Sequence, residues 1–212
     1  MIKFIFTKII PILCSYASIL AFYNASASDL IKTLFCAMFI VMVLLFLLFE
    51  IQDYQKNTPL HFKTKNGKEK RKINEFMYNW INSGSKVAIF SNDMSWANKN
   101  EIVDLLIKKA SKSELEIYLP NNIELTNKLS AHGAKIYTYG DFNYIPKTRF
   151  TIINQGRDDA QVAIGRNEKD GIFVIKKFSI GNHPAFSIAD DLINILKILN
   201  ERIINEDNAK TI

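Results

Sequence analysis

Two cysteines are all that this 212-residue chain has, and both, Cys14 and Cys36, fall inside strongly apolar stretches. The polar remainder has no thiol to pair, which excludes a disulfide-stapled scaffold and fits a reducing cytoplasm. Histidine is scarce too. His61, His132 and His183 are the three present, and no His/Cys/Asp/Glu spacing matches a zinc site. A glycine-rich loop of the kind that cradles nucleotide phosphates is missing, as are internal repeats and low-complexity tracts. No cofactor is expected.

What is abundant is apolar surface, 48% of residues, spread very unevenly. Residues 4–23 (FIFTKIIPILCSYASILAFY) and 30–49 (LIKTLFCAMFIVMVLLFLLF) are two apolar runs, each long enough as a helix to cross the roughly 30 Å hydrocarbon core of a bilayer. The second run carries no charge from Leu34 to Phe49 and is flanked by Lys32 and Glu50. In the first, Lys8 must snorkel to an interface and Pro11 removes one helix hydrogen bond. The turn between them, NASASD, has no basic residue, whereas Lys3 precedes the first run, Lys8 lies in its first turns, and KTKNGKEKRK follows the second. The positive-inside rule then predicts a transmembrane hairpin with both termini cytoplasmic. A secretory signal cleaved near Ala25-Ser26-Ala27 is the rival reading, opposed by Lys8 and Pro11.

Residues 50–72 have the composition of a basic juxtamembrane linker, marked by Pro59 and Gly67. The chain has 27 Lys and Arg against 21 Asp and Glu, an excess concentrated in this run. Its plain reading is a solvated linker, and contact with anionic lipid or nucleic acid is the alternative. From residue 73 to 212 the periodicity predicts an α/β domain. A helix with Ile73, Phe76, Met77, Trp80 and Ile81 on one face leads into three apolar strands, KVAIFS, LEIYLP and KIYTYG, alternating with two helices. Three strands in succession follow, RFTIIN, QVAIGR and IFVIKKFS, and a helix from Pro184 to about Ile204 closes the domain with Ile188, Leu192, Ile195, Leu196 and Leu199 as its apolar stripe. Such an order implies three layers, α/β/α, around one sheet.

The passage from Gly133-Ala-Lys-Ile-Tyr137 to Arg149-Phe-Thr-Ile-Ile153, with Gly165-Arg166-Asn167 on the next strand, resembles one half of a phospholipase D-like domain. In that family a His-x-Lys and a Gly-Ser-x-Asn on paired strands supply the nucleophile and the phosphate ligands. The resemblance places Arg149 at the histidine position, Thr151 at the lysine and Asn167 near the asparagine. A permanently protonated arginine cannot attack phosphorus, and threonine carries no charge, so the resemblance implies a domain without catalysis. A pocket keeping Arg149, Arg166 and Asn167 could still bind a phosphate-bearing ligand, the alternative being that the arginines pair with Asp158, Asp159 and Glu168 at the surface. Arg157 could converge there. His183, between a strand and a helix, is a fourth candidate ligand, or else a helix cap.

The hairpin joined to this domain is similar to the two-transmembrane effectors of bacterial retron anti-phage systems. That resemblance implies an inner-membrane toxin that damages the bilayer after self-association, restrained by a reverse transcriptase and its single-stranded DNA. Two alternatives stand beside it: a membrane-bound phosphodiesterase or nuclease, and a non-catalytic membrane adaptor.

Overall fold

Among the described residues seven strands form one sheet with helices over both faces, a mixed α/β fold. The computed structural model describes residues 16, 29–63, 67–140, 146–168 and 171–210. It divides into two units, Met1–Lys56 and Asn57–Ile212.

In the first unit the helix α1 (Asp29–Asn57) is continuous over 29 residues, and the Tyr16 ring stacks on Phe39 with centroids 3.6 Å apart. This corrects the transmembrane hairpin expected over residues 4–49. Apart from Tyr16, residues 4–23 lie outside the described residues, and residues 30–49 are part of a longer helix that runs on through Glu50, Asp53 and Lys56. Among the described residues no helix is long and apolar enough to cross a membrane. The multi-pass inner-membrane location with two cytoplasmic termini is corrected on the same finding. Leu34, Met38, Leu45 and Phe49 are nonetheless exposed on α1, and apolar surface of this kind marks a site of contact.

In the second unit the elements run β1 (Leu60–Lys63), α2 (Gly67–Ser83), β2 (Val87–Phe90), α3 (Asn100–Ala110), β3 (Leu115–Leu119), α4 (Glu124–Ala131), β4 (Lys135–Thr138), β5 (Thr148–Ile153), β6 (Gln161–Glu168), β7 (Ile172–Ser179) and α5 (Pro184–Lys210). Across the sheet the order is β1-β7-β6-β5-β2-β3-β4. Strands β2, β3 and β4 are parallel, while β5 joins β2 antiparallel and begins the meander that ends with β1 on β7. Residues 50–72, expected as linker, thus contain a strand and the first turns of a helix. Pro59 stands just before the edge strand β1, where a missing N–H is tolerated. Phe62 is the one residue of β1 that is buried.

Alternation along the strands divides the core in two. Ile81, Ile89, Leu106, Ile117 and Leu129 pack between the sheet and α2, α3 and α4. On the opposite face Ala88, Tyr118, Phe150, Ile152 and Val162 pack against Phe186, Ala189, Ile193 and Leu196 of α5. Helix α4 stops at Gly133, whose φ of +101° is accessible to glycine, and a Cβ there would sit 2.9 Å from the Ala110 carbonyl oxygen. The stripe expected to bury α5 is rotated. Ile188 and Ile195 are 66% and 54% exposed, because α5 is apolar on two sides and helical spacing alone fits either.

A polar cluster fixes α5 to the sheet. Glu116, 4% exposed on β3, lies 2.6 Å from Lys197 Nζ and 3.3 Å from Lys86 Nζ, and the Tyr118 hydroxyl donates to it at 3.0 Å. Nearer the helix end, the Asn200 amide accepts from Thr138 N–H at 3.2 Å and donates to its carbonyl at 3.1 Å. Burial by itself raises the Glu116 pKa. Lys197, Lys86 and Tyr118 together outweigh it and hold the carboxyl below its ordinary 4.5. Burial, then the Glu116 carboxylate, push the Tyr118 phenol far up, so it stays a donor.

Since the folded-state carboxyl titrates below its unfolded value, its contribution is complete above about pH 4.5 and is lost as pH falls through the folded value. Glu116→Gln is expected to cost about 3 kcal/mol at neutral pH by leaving Lys197 unpaired. Urea unfolding of the full chain from pH 7 to pH 3 tests this: the gap between wild type and variant narrows with acidification, and a constant gap contradicts the linkage.

Candidate functional site

The site grows from the register of one strand. Strand β5 sets Thr151 opposite Ile89 of β2 and sets Arg149 opposite Gly165 of β6. Arg149, Thr151, Ala163, Gly165 and Asn167 therefore share the face covered by α2 and α3, and Phe150 and Ile152 face α5. The location is the carboxyl end of β2, where the parallel part of the sheet gives way to the antiparallel part. In open α/β sheets such a reversal leaves a crevice outside the strand ends.

A cavity of about 360 Å³ opens there, lined by Arg149, Thr151, Gly165 and Asn167 from the strands, Lys70, Ile73, Asn74 and Met77 from α2, and Ser91, Trp96 and Asn98 from the β2–α3 connection. A second hollow of about 350 Å³ adjoins it and includes Lys147 and Arg166. Arg149, Gly165, Asn167 and Phe173 border both. Gly165 makes this junction: a Cβ on it would lie 2.5 Å from the Phe173 ring, so the bare backbone lets that aromatic lie over the strand beside Arg149.

Two cations stand at the opening. The Arg149 guanidinium is 3.8 Å from Asp93, in a loose pair with side chains 35% and 51% exposed, which leaves most of its five donors uncommitted. Lys70 is exposed and has no acidic partner among the described residues. The Asn167 amide likewise has no side-chain hydrogen bond among them. Thr151 is buried at 3% exposure, and its carbonyl accepts from Trp80 Nε1 at 3.1 Å. An uncompensated ammonium at that depth would carry a large desolvation penalty, which the uncharged threonine avoids.

The loop after β2 is held from beneath. Tyr139 stacks on Phe90 at 5.0 Å, and its hydroxyl donates to the Ser91 carbonyl at 3.0 Å with Asn92 Oδ1 at 3.2 Å. Burial raises the Tyr139 phenol to about 12 against the pull of Arg149, so it remains a donor at any ordinary pH. Asn92 in turn donates to the Pro146 carbonyl at 3.1 Å. Met94, only 2% exposed, adopts a φ of +51°, a left-handed conformation costly for a long side chain and kept where its surroundings impose it.

Of the four ligand candidates, Arg149 and Asn167 meet in the cavity. Arg166 alternates to the other face of β6 and donates to Glu168 at 2.7 Å, reaching the outer hollow alone. His183 lies beyond β7, at the opposite end of the strands from Arg149. Its ring stacks on Phe178 at 4.4 Å, and its Nδ1 accepts from Ala185 N–H at 3.0 Å, which caps the first turn of α5. Arg157, expected to converge with Arg149, sits in the β5–β6 turn and pairs with Asp159 at 3.0 Å. Four residues of strand separate that turn from Arg149, roughly 13 Å. The sequence reading did not include Lys70, Asn74, Trp96 and Phe173 in the site. Lys70, Ile73, Asn74 and Met77 do follow i, i+3, i+4, i+7 spacing, the available signal for one helix face.

Among the described residues no group of three or more His, Cys, Asp or Glu is placed to hold a metal ion. No family model and no curated protein matches the chain. Among solved structures it is similar to the polyphosphate kinase from Porphyromonas gingivalis, with a TM-score of 0.42 and 10% identity over 66% of this chain. It spans 24% of that protein's length, a likeness too slight to carry an assignment.

Tyr139→Phe removes the donor that anchors the β2–α3 loop and is expected to cost about 1 kcal/mol. Hydrogen exchange at residues 91–97 should quicken in the variant with little change in the strands. Unchanged exchange in the loop would show that Tyr139 does not hold it.

Proposed function

We propose that the second unit is a catalytically empty phospholipase D-like half domain that binds a phosphate-bearing ligand without cleaving it. The observation that carries the reading is the meeting of Arg149 and the Asn167 amide on paired strands, at the mouth of a cavity whose deeper position holds uncharged Thr151. Guanidinium and carboxamide donors suit phosphate oxygens, and a loosely held arginine is free to turn onto them. The two positions that the sequence offered for a nucleophile do not supply one at this cavity: Arg149 stays protonated, and His183 lies at the far end of the strands with its Nδ1 capping α5. In an anti-phage effector of the kind the sequence resembles, a site that binds without turnover is the sensing element. A reverse-transcriptase gene beside this one, with growth arrest when the chain is expressed without it, supports that role; harmless expression speaks against it.

The purified chain should leave bis(p-nitrophenyl) phosphate, oligonucleotides and phospholipids uncleaved. Inorganic phosphate should nevertheless bind, and Arg149→Ala should weaken binding at least tenfold and flatten its dependence on salt. Turnover above background that disappears in His183→Ala would sink the non-catalytic reading. Phosphate binding unaltered in Arg149→Ala would sink the site.

A further inference from the structure

We infer that the ligand is a nucleotide, with its phosphate at the junction of the two hollows and its base in the inner cavity. This rests on the phosphate-binding reading above and adds the class of molecule. Arg149 and Lys70 are the cationic groups in the lining of the inner cavity, and Trp96 and Phe173 are partly buried aromatic rings in the same lining. Stacking on aromatic rings is how a flat heterocycle is held whatever its identity, and it needs no hydrogen-bond partner. Asn74 and Asn98 add the edge chemistry. Asn74 Nδ2 donates to Asn98 Oδ1 at 3.3 Å, which leaves the Asn74 carbonyl and the Asn98 NH₂ without another side-chain partner among the described residues. Together they present one acceptor and one donor group, the pair that a base edge complements.

Size points the same way. At about 360 Å³ the cavity is at the small end of ligand pockets, enough for one base and its sugar and too small for paired acyl chains. The outer hollow, sharing Arg149 and Asn167, leaves the far side of the phosphate open, so a terminal nucleotide of a longer strand fits as well as a free one.

The chain contains two tryptophans, and Trp80 is buried in the core, so Trp96 reports on the cavity. Adenosine 5′-monophosphate, cytidine 5′-monophosphate and ribose 5-phosphate are titrated into the full chain by calorimetry and by tryptophan emission. At least one of the two nucleotides should bind tenfold or more tighter than ribose 5-phosphate and quench emission. Trp96→Phe should keep the affinity and lose the quenching, and Trp96→Leu should reduce the nucleotide to the affinity of ribose 5-phosphate. Equal binding of all three, still abolished by Arg149→Ala, overturns the nucleotide and leaves the phosphate site standing. Binding of none of them overturns both. A Trp96→Leu protein that unfolds leaves Trp96→Phe and the nucleotide-to-sugar ratio to decide.

Discussion

Everything in the candidate site depends on the register of β5, clamped antiparallel between β2 and β6. Phe150 pairs with Phe90 on one side and Ile164 on the other, and the Phe90 and Phe150 rings stack at 4.8 Å. Strand side chains alternate with period two, so a slip of one residue would turn Arg149 and Thr151 into the apolar layer beneath α5 and put Phe150 in the cavity. The cost of burying a guanidinium there, added to the loss of the aromatic stack, specifies one register. The packing of the α5 layer thereby fixes the chemistry of the opposite face.

That dependence explains why the polar cluster around Glu116 matters beyond its own neighbourhood. Lys197 and Asn200 set the position of α5 along β3 and β4, and the same helix brings Phe186, Ala189 and Ile193 onto β5 and β6. Two lysines and a phenol satisfy the buried carboxylate, which favours one docking of the helix where an apolar contact alone would allow several. On the same face Tyr139 serves the loop as Asn200 serves the helix, joining an edge of the sheet to the element that borders the cavity.

Much of this was legible in the sequence wherever a residue's environment is set by its immediate neighbours. Val87 to Phe90 is a short apolar run, Leu115 to Leu119 is one broken only by Glu116, and every residue in them is buried. Arg149, Thr151 and Asn167 were brought together by the family resemblance, and the antiparallel pairing of β5 with β6 sets them on one face. Strand β1 was hidden, since LHFK buries only Phe62 and its lysine-rich surroundings read as linker. The face of α5 was ambiguous because Ile188, Leu192 and Ile195 match helical spacing as well as Ala189, Ile193 and Leu196 do. Residues 30–49 misled in another way: apolar composition carries no record of where a helix ends, and α1 continues to Asn57. Lys70, Trp96 and Phe173 come from three separate elements, and only the sheet order brings them to Arg149.

The site then reads as a compromise between shape and chemistry. Paired strands bring an arginine and an asparagine together at one cavity, and the interior position is occupied by a small uncharged residue that the core tolerates. The most direct measurement is a crystal structure of the chain grown with tungstate, a dense tetrahedral oxyanion with phosphate geometry. The account predicts one anion within hydrogen-bond distance of both the Arg149 guanidinium and the Asn167 amide, at the junction beside Gly165. An empty junction, with tungstate bound at His183 or scattered over surface lysines, would contradict it.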